Sequence, residues 1–372
     1  MSAQRGATNA PPAARGGGAR EAGGAGRARP HEEHGDAALA PELAAAFREH
    51  ERALFLLCYR MTGSVADAQD LVQETFARAL ARPPADRSRP WKPWLVRVAV
   101  NLARDELRRR KRRPYTGPWL PAPLDTGAWS GELEAPEPAA ASAPAGASLP
   151  VSYEPASTEQ RYELLESVSL AFLAALEALR PTQRAVLLLQ DVLDYSARET
   201  AEALGIGEAN VRTTLHRARR AMAAYDAARR VPTPAQRERT RAAIGQLLAK
   251  LAARDAAGLE ALLAEDGVLV SDGGGEFAAA LVPIVGRRRV ADLLVKLVRD
   301  AEVDVRIAEL NGLPAVLLQY GETRDRFAHP RYAKRLSLSL DVDAEGRVRR
   351  IWSVLATRKL VGVFGEAGSP RA

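Results

Sequence analysis

Ala201-Glu-Ala-Leu-Gly-Ile-Gly-Glu-Ala-Asn-Val-Arg-Thr-Thr-Leu-His-Arg-Ala-Arg-Arg220 is the stretch around which the chain is organised. Ala201, then Gly205, then Val211 is the skeleton of a helix-turn-helix. A small residue lets two helices cross, a glycine takes the tight left-handed turn at little cost, and a branched apolar residue packs the second helix onto the first. The second helix carries Arg212, Thr213, His216, Arg217, Arg219 and Arg220. Residues three and four apart share a face, so Arg212, Thr213, His216, Arg217 and Arg220 point outward together. A protruding basic helix fits the DNA major groove. An ordinary helical hairpin with a solvated charged face has the same local pattern, so the rest of the chain must decide.

The whole chain is basic. It has 372 residues, a net charge of +7 and a pI near 9.7, which favours anionic partners, nucleic acid first. Its one cysteine, Cys58, allows no internal disulfide and suits a reducing cytoplasm. Cys58 lies in an apolar helical stripe and reads as core. No apolar run approaches the length of a membrane span, so no membrane partner is expected. His216 has no Cys/His cluster around it, and neither a metal nor a cofactor is expected.

Residues 1–40 mix Gly, Pro, Ala and Arg without apolar periodicity and read as a disordered arm. From Pro41, Leu54, Leu57, Cys58 and Met61 step at helical spacing up to Gly63. Ser64-Val-Ala-Asp67 reads as a capping box for a second helix. The apolar stripe of that helix is Leu71, Val72, Thr75, Phe76, Ala79 and Leu80; its opposite face is Asp70, Gln73, Glu74 and Arg78. A third helix is predicted from about Trp94 to Arg113, with Leu95, Val98, Ala99 and Leu102 buried. Arg97, Asn101, Arg104, Arg108 and Lys111 then form one exposed stripe, and the helix ends in six consecutive basic residues before Pro114. Such a run repels itself and is most stable against phosphate oxygens. Asn101 can hydrogen-bond base edges, and Trp91 and Trp94 either stack on unpaired bases or pack in the core.

Residues 114–160 form a Pro/Ala-rich linker without Lys or Arg, acidic along its length. Tyr115 to Leu124 within it exposes Trp119 and Leu120, the mark of a docking sequence. Helices resume near Gln160, with Leu165, Val168, Phe172, Leu176 and Leu179 on one face and Pro181 opening the next helix. After Pro234 the texture changes: two helices, then strand-like stretches at 267–272, 303–310, 315–320, 336–342 and 348–355, with a helix near 290–298. Leu336, Leu338, Leu340 and Val342 alternate as in a sheet with one buried face. Helices followed by a curved sheet predict an α+β cone.

Two regions together resemble a known family. Asp67 to Phe76 followed by Asn101 to Arg110 resembles region 2 of a bacterial sigma factor, and Leu179 to Leu189 with the helix-turn-helix resembles region 4. With no region 3 between them, the arrangement resembles the extracytoplasmic-function (ECF) group of the sigma-70 family; Gln69 stands where the family usually has Glu. The C-terminal part resembles a SnoaL-like, NTF2-like domain. The subgroup with this extension has a linker motif matched by Trp119-Leu-Pro-Ala-Pro-Leu124. Its Asp-Gly-Gly-Gly-Lys motif reads Asp272-Gly-Gly-Gly-Glu276 here, and its Asn-Pro-Asp-Lys-Leu is reduced to Ala356-Thr-Arg-Lys-Leu360. Both departures put a lysine-dependent contact in question.

The resemblance implies a multidomain chain: an arm (1–40), an all-α region 2 bundle (41–113), the linker (114–160), an all-α region 4 (161–230) and an α+β NTF2-like cone (231–372). It implies a factor that binds core RNA polymerase through the β′ clamp and β flap and directs initiation at promoter DNA. Asp70, Gln73 and Glu74 would face polymerase. Trp91, Trp94, Arg97, Asn101, Arg104 and Arg108 would face the −10 element, which region 2 melts. Arg212, Thr213, His216 and Arg217 would read the −35 element. Trp119, Leu120, Asp272, Gly273, Gly274 and Gly275 would form the regulatory contact of the extension, with the glycines as a flexible loop or a plain turn. The extension looks like a substitute for the usual separate inhibitor, so no obligatory anti-sigma protein is expected. A stand-alone helix-turn-helix regulator whose cone senses a small molecule is the alternative. An enzyme built on Asp272 is the weakest reading, because no partner His lies nearby.

Overall fold

The computed structural model describes residues 33–127, 165–227, 232–297, 303–321 and 331–364. Most of the arm, residues 128–160 of the linker and residues 161–164 lie outside them. Three helices come first: α1 (Glu33–Thr62), α2 (Val65–Ala81) and α3 (Trp91–Arg112). α1 begins before Pro41, which lies inside it. Pro41 removes one helical hydrogen bond, and burial of Leu39 offsets part of that cost. α1 stops at Gly63, whose φ is +65°. Ser64 caps α2 by accepting from the Asp67 amide at 3.2 Å. The Asp67 carboxylate turns instead to Arg358, at 3.0 Å.

The apolar stripe of α2 is buried as predicted except at Leu80, which is 57% exposed. α3 starts at Trp91, three residues before the predicted start. Pro93 then occupies the third helical position, where its missing N–H has no intrahelical partner to lose.

The second helical group is α4 (Leu170–Leu176), α5 (Pro181–Leu187) with a π-turn over Leu188–Val192, α6 (Ala197–Leu204) and α7 (Glu208–Ala227). Ser196 and Glu199 complete a capping box on α6. Gly205 ends α6 in the left-handed conformation, at φ +65°, and Val211 is fully buried. The helix-turn-helix is therefore formed as its spacing requires. The two helical groups share one continuous core, in which Leu54, Leu57, Leu95 and Val100 join Leu176, Leu188 and Val211. Polar links reinforce it. Arg184, 2% exposed, donates to the carbonyls of Met61 and Leu176, each at 2.6 Å. Arg110 donates to the Thr62 carbonyl and to Glu177, both at 2.6 Å.

The last unit contains α8 (Pro234–Ala252), α9 (Ala256–Leu262), β1 (Leu263–Asp272), β2 (Ile284–Val285), α10 (Arg287–Leu297), β3 (Val303–Leu310), β4 (Leu313–Tyr320), β5 (Arg335–Val342), β6 (Val348–Val354) and α11 (Thr357–Phe364). The six strands form one sheet in the order β2-β1-β6-β5-β4-β3. β1 and β6 are parallel and the other neighbours antiparallel. Leu336, Leu338, Leu340 and Val342 share a core with Ile244, Leu247, Val290 and Leu294 of α8 and α10. The opposite face, with Leu317, Trp352 and Val354, is covered by Leu120 of the linker, Leu170 of α4, and Leu360, Val363 and Phe364 of α11. Each such side chain contributes roughly 1.5–3 kcal/mol when fully buried. This sheet face is thus built jointly by the linker, the second helical group and the C-terminal unit.

Candidate nucleic-acid interface

α7 presents Arg212, Thr213, His216, Arg217 and Arg220 to solvent, because Val211, Thr214, Ala218 and Met222 are turned into the core. Arg212 pairs with Glu208 one turn earlier at 2.9 Å. Thr213 donates its hydroxyl to the Ala209 carbonyl at 3.0 Å. Arg219 is drawn aside by Asp191, which takes two of its hydrogen bonds at 2.7 and 3.0 Å.

The stripe predicted on α3 is only partly free. Arg97, Arg108 and Lys111 are exposed, whereas Asn101 and Arg104 are half-buried. Asn101 donates to the Ala203 carbonyl at 3.4 Å, and Arg104 to the Leu204 carbonyl at 3.5 Å and the Thr182 hydroxyl at 3.4 Å. Arg104 also donates to Asn101, at 3.0 Å. The carbonyls at the end of a helix have no intrahelical partner, and the end of α6 finds its donors on α3. Burial holds the Arg104 guanidinium below its usual pKa. Trp91 and Trp94 are half-buried, stand edge to face at 6.3 Å, and pack against the helical core.

On α2, Asp70, Gln73 and Glu74 are exposed. Glu74 pairs with Arg78 at 2.8 Å. Asp70 lies 3.5 Å from Arg358 of α11.

The linker segment 114–127 is packed along its docking motif. Its anchor is Asp272, fully buried at the end of β1. The Asp272 carboxylate accepts from the Tyr115 hydroxyl, from the Leu120 amide at 2.6 Å, from the Gly274 amide at 2.9 Å and from Lys359 Nζ at 2.6 Å. Lys359 also donates to the Leu120 carbonyl at 2.6 Å, and its ammonium lies 3.9 Å from the centre of the Trp119 ring. Burial pushes the Lys359 pKa down to about 8, against the attraction of Asp272. The lysine that both motif departures left in question is therefore present, supplied by Lys359 of α11. Glu276, the acidic replacement, accepts from the Thr357 amide at the start of α11, at 3.2 Å.

Trp119 is also held by Arg110, whose guanidinium lies 3.9 Å from the ring centre. Gly273 to Gly275 form a tight turn, not a flexible loop. A Cβ on Gly273 would stand 2.5 Å from the Phe277 carbonyl oxygen, and one on Gly274 2.7 Å from the Ala356 side chain.

A second anchor is Asn311, 2% exposed, in the β3–β4 turn at φ +54°. It donates to the Tyr59 hydroxyl of α1 and to the Val168 carbonyl ahead of α4, both at 2.8 Å. It also exchanges two bonds with Leu124 of the linker, at 2.8 and 3.1 Å. One residue thus ties the cone to the linker and to both helical groups.

Comparison with known proteins agrees with this arrangement. The family model of Sigma-70 region 2 matches residues 46–113, and that of Sigma-70 region 4 matches residues 169–222. The ECF RNA polymerase sigma factor SigJ of Mycobacterium tuberculosis is 34% identical over 263 residues, 68% of this chain and 72% of SigJ. The chain belongs to the ECF RNA polymerase sigma factors. The crystal structure of SigJ superposes with a TM-score of 0.62 at 26% identity, covering 87% of this chain and all 100% of that one. The helical sigma regions are followed by an α+β domain built on the six-stranded sheet. As a sigma factor the chain has core RNA polymerase and promoter DNA as its partners, and the family is non-catalytic. The expectation that no obligatory anti-sigma protein is needed is not borne out by these comparisons. One solved structure that is similar in part is that of the sigma factor RpoE from Bartonella quintana in complex with the anti-sigma factor NepR. RpoE is 18% identical, with a TM-score of 0.31, over 53% of this chain and 99% of that one.

Among the described residues no His/Cys/Asp/Glu group could hold a metal ion, and no helix is long and apolar enough to cross a membrane. Four donors occupy the Asp272 carboxylate, which makes it an anchor and leaves it poorly placed as a base. Sequence reading missed Asn311 and Arg358 as contact residues, and it did not pair Tyr115 or Lys359, which stand in the linker and C-terminal motifs, with Asp272. For Asn311 a signal existed: Asn-Gly between two apolar runs marks a hairpin turn.

Proposed function

We propose that this sigma factor reads its promoter at two points and that the free chain keeps one of them covered. Arg212, Thr213, His216 and Arg217 on α7 read the −35 element. Trp91, Trp94, Arg97, Asn101, Arg104 and Arg108 on α3 meet the −10 element and open it. Asp70, Gln73 and Glu74 dock on the β′ clamp of core polymerase in the cytoplasm, with region 4 on the β flap. The C-terminal domain regulates activity by holding the linker through Trp119, Leu120, Asp272 and the Gly273–Gly275 turn.

The observation that carries this reading is the seating of Asn101 and Arg104 against the end of α6. A stand-alone helix-turn-helix regulator would use the exposed face of α7 and leave the basic stripe of α3 without a role. A factor that acts only within polymerase can hide it until the larger enzyme draws the two regions apart. The test is run-off transcription from a fragmented genomic template with full-length protein and core polymerase. Promoter-dependent transcripts are expected, with weak promoter binding by the protein alone. Tight duplex binding without polymerase and no specific transcript with it would reverse the conclusion.

A further inference from the structure

The reading face of α7 contains one residue of the wrong charge for a phosphate-lined groove. Glu208 is the first residue of the helix, exposed, and paired with Arg212 at 2.9 Å. In a helix-turn-helix the N-terminal residues of the second helix are those that reach base edges. Side chains in a helix lean toward its N-terminus, so Arg212 extends along the helix toward Glu208. The two residues are separated by about 6 Å along the axis, close to two base-pair steps of roughly 3.4 Å. A carboxylate there is repelled by the DNA backbone unless it accepts a hydrogen bond from a base. In the major groove the cytosine N4 amino group is the donor that Glu side chains take, as guanine O6 and N7 are the acceptors that Arg takes.

We propose that Glu208 is a specificity-determining residue of the −35 contact: it selects a cytosine within about two base pairs of the guanine read by Arg212. This rests on the assignment of α7 to the −35 element. In the free protein the Glu208–Arg212 pair holds both side chains extended along one face. On binding, the pair opens and each group takes its base. Side-chain relative exposures of 45% and 68% leave both groups within reach of a partner. The neighbouring Ala209 and Thr213 are exposed as well.

The experiment uses holoenzyme assembled from full-length protein and core polymerase, transcribing a promoter library randomised through the −35 element. The wild type, Glu208→Ala and Glu208→Gln are compared by the base frequencies in their transcripts. One position should lose its cytosine preference by about tenfold in Glu208→Ala, within the cost of one mismatched base pair. In Glu208→Gln that position should move toward adenine, whose N6 and N7 an amide pairs with, while the guanine position stays. If both variants transcribe every sequence better by the same factor, Glu208 is only a repulsive charge and the proposal fails. If only the guanine preference weakens, Glu208 positions Arg212 and reads no base, which also overturns it. Absence of any promoter-dependent transcript from the wild type would instead refute the sigma-factor reading.

Discussion

Lys359 offers the sharpest test of how the C-terminal domain grips the linker. Its Nζ lies 2.6 Å from both Asp272 and the Leu120 carbonyl, and the residue is 9% exposed. Replacing it with Met keeps the apolar stem but leaves the Asp272 carboxylate fully buried without its cation. Removing one partner of a buried pair costs about 3–5 kcal/mol. Three donors remain on Asp272, from Tyr115, Leu120 and Gly274, which places the cost near the lower end, about 3 kcal/mol. At about 1.4 kcal/mol per decade, docking of the linker should weaken about a hundredfold. Native-state hydrogen exchange at the Leu120 amide reads this directly, because that N–H donates to Asp272. Exchange should accelerate about a hundredfold in Lys359→Met if opening is local. The double variant Asp272→Asn/Lys359→Met should cost less than the sum of the single variants, since two neutral groups no longer strand a charge. A change at Leu120 of less than about threefold in Lys359→Met would refute the reasoning, because the pair would then contribute no more than a surface contact.

Four further outcomes are expected. Gly63→Ala should destabilise the protein by roughly 2 kcal/mol or more in urea melts, because Ala must adopt φ +65° and its Cβ would stand 2.5 Å from the Trp119 ring. The Cys58 thiol is fully buried and pushed up to about 12, so a thiol reagent at pH 8 should label it only on unfolding; rapid labelling of native protein would contradict the core packing. The Lys359 pKa is lowered to about 8 from 10.5. The unfolded chain therefore binds more protons between those values, and this group's contribution to stability rises with pH across that window; pH-dependent melts of wild type minus Lys359→Met isolate it, and a falling difference would contradict the sign. Arg358→Ala should leave stability within about 1 kcal/mol, since Arg358 and Asp70 are exposed and Asp67 is only partly buried. It should raise core-polymerase affinity by about twofold to fivefold in a binding titration, because Asp70 loses a competing cation; unchanged affinity would mean α11 does not compete.

Much of this architecture was written in local pattern. The Gly205 turn, the Ser64 cap and the alternation over 336–342 depend on residues a few positions apart and formed, though the Asp67 carboxylate leaves the capping box for Arg358. The recognition face of α7 was legible for the same reason, since one helix sets its own angular spacing. The stripe on α3 was legible as a stripe, but its exposure was not. Periodicity says which residues share a face, not what lies against that face, and the end of α6 lies against Asn101 and Arg104. Lys359 was legible as the lysine of the Ala356–Leu360 motif, but its partner Asp272, 87 residues away, was not.

What the sequence by itself determined is the set of elements: two helical groups, a docking motif in an acidic linker, a basic reading helix and an α+β cone. Each follows from apolar period, turn chemistry and capping, which act within about one turn or one hairpin. What only the tertiary structure decided is how these units close on each other, through Asp272 with Lys359, Asn311 with Tyr59 and Val168, and α6 over α3. Those contacts are single polar side chains meeting buried partners that lie 87 to 252 residues away. A group of that kind has no period, and its partner is chosen by which surfaces exclude water together.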